Sequence, residues 1–304
     1  MKLIKIFLFT ACVLMVSLPA VAKEILVMQE QGGFAKYDPS TGALIGRVKC
    51  TTGYMVSGTQ GTLYTSVNYE LKAINLDDGQ VLRSYVLPTG YGTEIGGLAL
   101  GPDGCAYATQ RYNNRIIQVN LNTGLVSAVP LNTSIYEPTG LTFGADGDLY
   151  VCEGSWSSAD VVFRYNVATG NLVEKYAGTK DLVVPRQLIT APSGGIYALN
   201  QCAFGLYKLN RSTKQFYEAI APPLNNYGFD SVAFTANGDL FLNHYLSAGA
   251  NSKLARYNWN TGEFIDLAPY TGRFVVANTV PEPGTCITLL CALAGASLAL
   301  RKRC

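Results

Sequence analysis

Short apolar runs broken by glycine turns recur along the chain at an interval slightly above roughly forty residues. Each copy contains a glycine followed three positions later by tyrosine or phenylalanine. The copies begin at Gly61, Gly104, Gly147, Gly194 and Gly238. An aspartate or asparagine directly precedes the motif glycine in three copies. The resulting Asp-Gly and Asn-Gly dipeptides favour tight hairpin turns. The pattern therefore predicts a repeated strand–turn–strand unit.

A second marker lies within each unit, after its apolar strands, and combines an aspartate or asparagine with a later polar turn. It occupies residues 37–42, 74–79, 119–124, 165–170, 209–214 and 257–262. A further alternating run follows it, as at residues 43–48 and 172–176. Each unit is thus expected to hold four strands, and four-stranded units at this period are typical of β-propeller blades.

The first unit lacks its opening strand, because residues 24–28 already occupy the second-strand position. Residues 273–277 follow the last marker and could pair beside that strand, so that both ends of the ring would close it. We predict an all-β, six-bladed propeller, with seven blades as the alternative count. A β-helix is disfavoured because its repeats are much shorter.

Two segments carry a family resemblance. Residues 106–117 resemble an NHL-repeat blade, and residues 140–151 are similar to the blade shared by gluconolactonase and streptogramin-lyase propellers. The resemblance covers residues 24–277 and implies a fold that hosts hydrolases, lyases and binding scaffolds.

Composition supports this fold and excludes one class of partner. Charged residues make up 14% of the chain, with 31 glycines and 19 tyrosines, as expected for short strands joined by turns. The net charge is +2 with no long basic run, so we expect no nucleic-acid binding.

The N-terminus resembles a secretory signal peptide spanning residues 1–22. Lys2 and Lys5 precede an apolar run at residues 6–18, and residues 20–22 offer an A-x-A cleavage site. Export permits disulfides, but the eight cysteines include no C-x-x-C pair. Buried free thiols and a single bridge both remain open, and a zinc site is disfavoured with one histidine.

The C-terminal segment, residues 280–304, has three parts: a proline-flanked glutamate, an apolar run at residues 286–300 and a basic end. This layout resembles the PEP-CTERM sorting signal, whose elements here are Pro281, Glu282, Pro283, Arg301, Lys302 and Arg303. The resemblance implies processing by an exosortase-type membrane peptidase and an association with extracellular polysaccharide. About fifteen apolar residues are short for a permanent span, for which about 20 are usual.

Residues expected at one mouth of the central channel form the candidate site, with residues 23–279 as the propeller. They are Val67, Gln110, Glu153, Asn200 and His244 after the second strands, and Glu94, Glu137, Arg186 and Asp230 before the inner strands. The gluconolactonase resemblance implies a Ca²⁺ or Mg²⁺ ligand at Asp230, since such ions prefer oxygen ligands. It is incomplete, because Thr139 stands where that family tends to carry asparagine.

The sequence supports two functions. The first is an exported surface or extracellular-matrix propeller that binds or scaffolds without catalysis. The alternative is a divalent-metal-dependent hydrolase or lyase, in which His244, oriented by a carboxylate such as Glu153, would act as general base. Loop aromatics could also stack on sugars: Tyr91, Tyr112, Tyr136, Trp156 and Tyr227.

Overall fold

Four-stranded antiparallel sheets account for most of the protein. The structure, a computed structural model, describes residues 23–67, 69–88, 95–154, 160–179, 182, 185–200, 205–221, 229–247, 250–270 and 272–278. Within these ranges the side chains of residues 160, 200, 244–247 and 250–251 are not described. The predicted signal peptide, residues 1–22, and the predicted sorting segment, residues 280–304, lie outside the described residues. Residues Glu24–Thr279 form one compact unit.

Three sheets come from the first half of the chain. Strand β24 (Phe274–Asn278) joins β1 (Glu24–Glu30), β2 (Gly33–Tyr37) and β3 (Leu44–Lys49). The next sheet contains β4 (Met55–Ser57), β5 (Thr62–Val67), β6 (Glu70–Asn75) and β7 (Val81–Val86). The third contains β8 (Ile95–Leu100), β9 (Cys105–Gln110), β10 (Arg115–Asn120) and β11 (Val126–Ala128), with a 3₁₀ turn at Arg111–Asn113.

The second half adds an eight-stranded sheet and a last four-stranded one. The eight strands are β12 (Leu141–Phe143), β13 (Leu149–Cys152), β14 (Asp160–Asn166), β15 (Asn171–Ala177), β16 (Pro185–Thr190), β17 (Ile196–Asn200), β18 (Leu206–Asn210) and β19 (Gln215–Ile220). The last sheet holds β20 (Val232–Phe234), β21 (Leu240–Ser247), β22 (Ala250–Asn258) and β23 (Glu263–Pro269). The eight-stranded sheet has two antiparallel halves, β12–β15 and β16–β19, joined at the parallel pair Ala177 and Gln215.

Both sequence markers have clear structural roles. The Gly-x-x-aromatic motif leads into the second strand of its unit, at β5, β9, β13, β17 and β21, as predicted. The second marker forms the turn between third and fourth strands. There the Asn120 side chain accepts hydrogen bonds from the N–H groups of Asn122 (3.0 Å) and Thr123 (2.9 Å). A side-chain acceptor that satisfies turn N–H groups explains why Asn or Asp recurs at this position.

The predicted pairing of the chain ends is confirmed. Strand β24 runs antiparallel to β1, with Glu24 opposite Asn278 and Met28 opposite Phe274. Phe274 and Ala277 are both about 1% exposed, so β24 buries its apolar side chains against the first sheet and its neighbour. The expected strand at residues 273–277 differs by one residue from the observed one.

Apolar clusters between the sheets connect them in a closed order. Separate clusters join the β1–β3 sheet to the β4–β7 sheet, that sheet to β8–β11, then to β12–β15, β16–β19 and β20–β23, and finally back to β1 and β24. Tyrosines of the repeated motif lie within these clusters; Tyr107 and Tyr150 are fully buried. Burial of such large rings stabilises the packing between sheets. The fold is all-β and propeller-like.

The described chain contains three free cysteines. Cys105 and Cys152 are buried free thiols and Cys50 is a half-buried one. Among the described residues, no helix is long and apolar enough to cross a membrane.

Candidate functional site

The first residues of the innermost strands surround a central cavity of about 540 Å³. Every sheet, and both halves of the eight-stranded one, contributes to its wall through the segment that enters β4, β8, β12, β16, β20 or β24. The volume lies within the range typical of small-molecule sites. Of the predicted residues, Arg186 and Asp230 line this cavity.

Glycines allow the inner strands to approach one another closely around the cavity. A Cβ on Gly140 would lie 2.7 Å from the Arg186 carbonyl oxygen and 2.8 Å from the Leu188 nitrogen. A Cβ on Gly97 would lie 2.6 Å from the Thr139 carbonyl oxygen. The neighbouring backbones therefore occupy the space that a side chain would need.

Hydrogen bonds hold the segment that carries Asp230. The fully buried Asn243 side chain accepts hydrogen bonds from the backbone N–H groups of Asp230 and Ser231, the latter at 3.0 Å. The Ser231 hydroxyl in turn accepts from the N–H of Phe274 (3.2 Å), which links β20 to β24. On the other side, Gln187 exchanges hydrogen bonds with the N–H and carbonyl of Val232. These contacts fix the entrance of β20 between its two neighbours.

A guanidinium stacked on a tyrosine forms another part of the wall. The Arg273 Cζ lies 3.9 Å from the centroid of the Tyr54 ring, and both residues line the cavity. Stacking of this kind is favourable and restrains the arginine side chain. Arg273 and Tyr54 directly precede β24 and β4, so they occupy the position before an inner strand that also led to Asp230.

Sequence reasoning missed these two residues. Extending the inner-strand alignment to the unit closed by β24 and to the unit of β4 would have found them. The marker spacing alone would have been enough to align both units.

Three other predicted residues make hydrogen bonds within the protein. Glu137 accepts from the Nε and Nη2 of Arg111 at 3.1 and 2.8 Å. The Glu153 carboxylate accepts from the N–H of Tyr136 at 3.0 Å. Gln110 donates from Nε2 to the Pro88 carbonyl (3.2 Å) and accepts from the Arg115 Nε (2.5 Å). These contacts tie the ends of second strands to the loops that enter the inner strands.

The remaining predicted residues are placed only in part. Asn200 and His244 lie opposite Pro185 and Lys253 in their ladders, and their side chains are not described. Val67 ends β5. Glu94 and the sorting residues Pro281, Glu282, Pro283, Arg301, Lys302 and Arg303 lie outside the described residues. Of the loop aromatics, Tyr112 and Tyr136 are about half exposed, whereas Tyr91, Trp156 and Tyr227 fall outside the described ranges.

The cavity residues do not fit a divalent metal ion. Among the described residues, no group of three or more histidine, cysteine, aspartate and glutamate side chains could hold one. The described wall carries one carboxylate, Asp230, together with the guanidinium groups of Arg186 and Arg273. Like charge in the same cavity disfavours a cation, which prefers several anionic oxygen ligands.

The buried thiol at the end of β13 is also unsuited to nucleophilic chemistry. Burial raises the pKa of the Cys152 thiol well above its usual range, despite hydrogen bonds from Thr139 and Gly140 that lower it. The thiol is therefore protonated at neutral pH, and a protonated thiol is a poor nucleophile.

Comparisons with known proteins give a fold and no family. Neither a protein-family model nor a curated protein matches the sequence. Among solved structures, a streptogramin B lyase aligns with a TM-score of 0.61 and 17% identity over 86% of this chain and 89% of that one. A protein of unknown function from Bacteroides caccae has a TM-score of 0.59 at 14% identity, covering 84% and 99%. A nidogen/laminin complex has 0.59 at 11%, covering 83% and 98%.

At these identities the similarity shows the fold alone. The described chain has a β-propeller fold.

Proposed function

We propose that this protein is an exported six-bladed β-propeller that binds a ligand in its central cavity and acts as a surface or extracellular-matrix binding protein. The observation that carries the proposal is the convergence of all the inner-strand entrances on one cavity of about 540 Å³. Arginine, aspartate and tyrosine side chains meet there, and such convergent polar groups on an apolar wall are typical of small-molecule sites.

The blade count rests on how the eight-stranded sheet divides. Its two halves are antiparallel four-stranded units, and one parallel residue pair joins them. One apolar cluster packs between the two halves, just as other clusters pack between the other neighbouring sheets. Counting each half as a blade gives six blades, with β24 and β1 closing the ring.

The hydrogen bonds of the acidic candidates favour binding over catalysis. Glu137 is held by Arg111, and Glu153 by the N–H of Tyr136, so each carboxylate stabilises a loop entering the inner ring. A catalytic carboxylate needs access to the reacting atoms. The cavity groups that remain are suited to recognising a ligand.

Export and sorting are proposed from the sequence. The signal segment would direct secretion, with the mature chain beginning at Lys23. The Pro281–Glu282–Pro283 segment, the apolar run and the basic end would hold the chain transiently in the membrane, with the basic end on the cytoplasmic side. An exosortase-type membrane peptidase would then process the tail, leaving the propeller at the cell envelope or in the matrix. Extracellular polysaccharide is the partner that this location offers.

The binding function can be tested with purified residues 23–279 and a panel of neutral and acidic saccharides, using the shift in melting temperature. We expect at least one saccharide to raise the melting temperature of the wild type. The shift should be lost in Tyr54→Ala, which removes an aromatic wall of the cavity, and retained in Tyr69→Ala. Tyr69 is a matched control because its ring is 48% exposed and lies outside the cavity lining. Equal shifts in both variants would exclude the cavity as the binding site.

A metal-dependent hydrolase or lyase is the second candidate, favoured by the position of Asp230 on the cavity wall of a fold shared with a streptogramin B lyase. Calorimetry with Ca²⁺ and Mg²⁺ separates the two candidates. We expect no binding to residues 23–279, because the cavity holds two guanidinium groups. Tight binding that Asp230→Ala abolishes would instead support the enzyme and contradict the binding protein.

A further inference from the structure

We infer that the central cavity selects a ligand with a single carboxylate on a carbon ring or similar apolar body. This inference rests on the proposed binding function and specifies its ligand class. The evidence is the charge of the wall, the partners of its arginines and the character of the remaining lining.

The two cavity arginines differ from four other arginines in the described chain. Arg47, Arg111, Arg164 and Arg211 each pair with a carboxylate. Neither Arg186 nor Arg273 forms an ion pair with a described aspartate or glutamate. Two arginines that line one cavity and have no ion pair with a described carboxylate offer a site for an anion.

The geometry of Arg273 suits a planar carboxylate. Its guanidinium carbon lies over the Tyr54 ring, 3.9 Å from the ring centroid. Stacking uses the face of the guanidinium, whereas its N–H donors lie in the plane and point to the side. A guanidinium edge presents two parallel donors that match the two oxygens of a carboxylate. Contact with Tyr54 therefore restrains a side chain that can bind a carboxylate through two donors.

The balance of charge favours a monoanion. Asp230 lines the same cavity as the two arginines, so the described lining carries a formal charge of +1. A single carboxylate would neutralise that charge. A dianionic phosphate would leave the described lining with a net negative charge.

Apolar side chains on the same wall indicate that the ligand has a carbon body. Leu98, Leu141, Leu188 and Phe229 line the cavity. Leu98 is partly exposed, whereas the other three are at most 4% exposed. Leu98 would cover part of the face of a ring while the arginines bind its carboxylate. A uronic acid unit of an acidic polysaccharide and a free organic acid share this chemistry.

Calorimetric titration of residues 23–279 tests the inference with galacturonate, trigalacturonate, galactose and benzoate. We expect galacturonate or benzoate to bind and neutral galactose not to bind. Arg186→Gln and Arg273→Gln should each weaken binding about tenfold or more, because a hydrogen bond to a charged group is lost. Arg47→Gln is the matched control, since it removes the same charge from a residue outside the cavity and should leave affinity unchanged. Arg186 is exposed, so its variant should fold even if loss of the Arg273 stack destabilises the protein.

The probes distinguish the source of the carboxylate. Tighter binding of trigalacturonate than of galacturonate would point to a polysaccharide, and tighter binding of benzoate to a free organic acid. Equal binding of galactose and galacturonate would overturn the carboxylate inference and leave the binding function in place. Failure of all four probes, or an equal effect of all three arginine variants, would also overturn it. The saccharide panel tests the binding function itself.

Discussion

Single glycines at the starts of inner strands control how closely the sheets approach the channel. Gly140 has no room for a Cβ because backbone atoms of the β16 entrance lie within 2.8 Å of its position. Backbone cannot move aside as a flexible side chain can, so overpacking here should strain two strands at once. Glycine is therefore required at position 140 by the backbone of the neighbouring strand, and not by the conformation of a turn.

Gly140→Ala should lower the free energy of unfolding of residues 23–279 by about 1–3 kcal/mol, the usual cost of overpacking. Denaturant unfolding measures this effect. Gly46→Ala is the control, because the nearest atom to its Cβ position is the Lys36 Cε at 3.9 Å. The control should change stability by about 0.5 kcal/mol or less. Similar losses in both variants would show that close approach is not the cause.

Asp103 shows how one side chain can stabilise a turn in a pH-dependent way. Its carboxylate accepts hydrogen bonds from the Tyr107 hydroxyl (2.7 Å) and the Cys105 N–H (3.2 Å). Burial raises the pKa of Asp103, but these hydrogen bonds outweigh it and the net pKa is lowered. A lowered pKa means that the folded state favours the ionised form, so the stabilisation is complete above the unfolded pKa of about 4. It is lost as the pH falls through the folded pKa.

Asp103→Asn should therefore reduce the melting temperature at pH 7 by roughly 2–4 °C and much less below about pH 3, where the wild-type carboxyl is also protonated. Melting curves across this pH range measure the difference. Tyr107→Phe removes the main hydrogen bond that lowers the pKa, and should shrink the pH-dependent part. A deficit in Asp103→Asn that stays constant with pH would contradict the assignment.

The role of a site residue was predictable from sequence only where its position relative to an inner strand decided that role. The expectation that polar residues before inner strands face the channel placed Arg186 and Asp230 on the cavity wall. It could not foresee that Glu137 accepts from Arg111, because that contact depends on how a loop folds over a 3₁₀ turn. Nor could periodicity indicate that Tyr54 orients Arg273, since the two are 219 positions apart and meet only through ring closure.

At the scale of elements, the repeat predicted strand order better than strand ends. Alternating runs expected at residues 43–48 and 172–176 correspond to β3 (Leu44–Lys49) and β15 (Asn171–Ala177), with ends shifted by one residue. The period indicates which runs pair, whereas the last residue of a strand depends on local bulges. Such bulges occur between Lys36 and Tyr37 and between Arg164 and Tyr165.

Strand β24 should be essential for the stability of the whole ring. It covers the edge of β1 and buries Phe274, which is about 1% exposed. A chain ending at residue 272 should lose cooperative unfolding that the 23–279 fragment shows, because β1 would be left as an open edge. Circular dichroism during thermal unfolding would compare the two.

A point substitution makes the same test without shortening the chain. Phe274→Ala should cost about 3–5 kcal/mol. Ile265→Ala on the outer strand β23, where the side chain is 39% exposed, should cost about 1 kcal/mol or less. Equal costs at the two positions would argue against closure by β24.

At the scale of the whole molecule, the strand that closes the ring lies close in sequence to the proposed sorting motif. Strand β24 ends at Asn278, and the proposed sorting motif begins only three residues later at Pro281. Prolines at 281 and 283 withhold two N–H donors, so the sequence predicts that the β24 ladder does not extend through them. We therefore expect the propeller to fold before any processing of the tail.

Full-length protein produced together with an exosortase-type peptidase should lose both ends, giving a mature chain that begins at Lys23 and lacks the apolar run at residues 286–300. Intact-mass spectrometry of the secreted protein measures both events. Glu282→Ala should retain the tail and stay with the membrane fraction, whereas Glu263→Ala on β23 should be processed normally. The N-terminal cut should occur in all three proteins, because it depends on a separate signal. A secreted chain that keeps residues 286–300 would contradict the sorting role, and one that keeps residues 1–22 would contradict export by a cleaved signal.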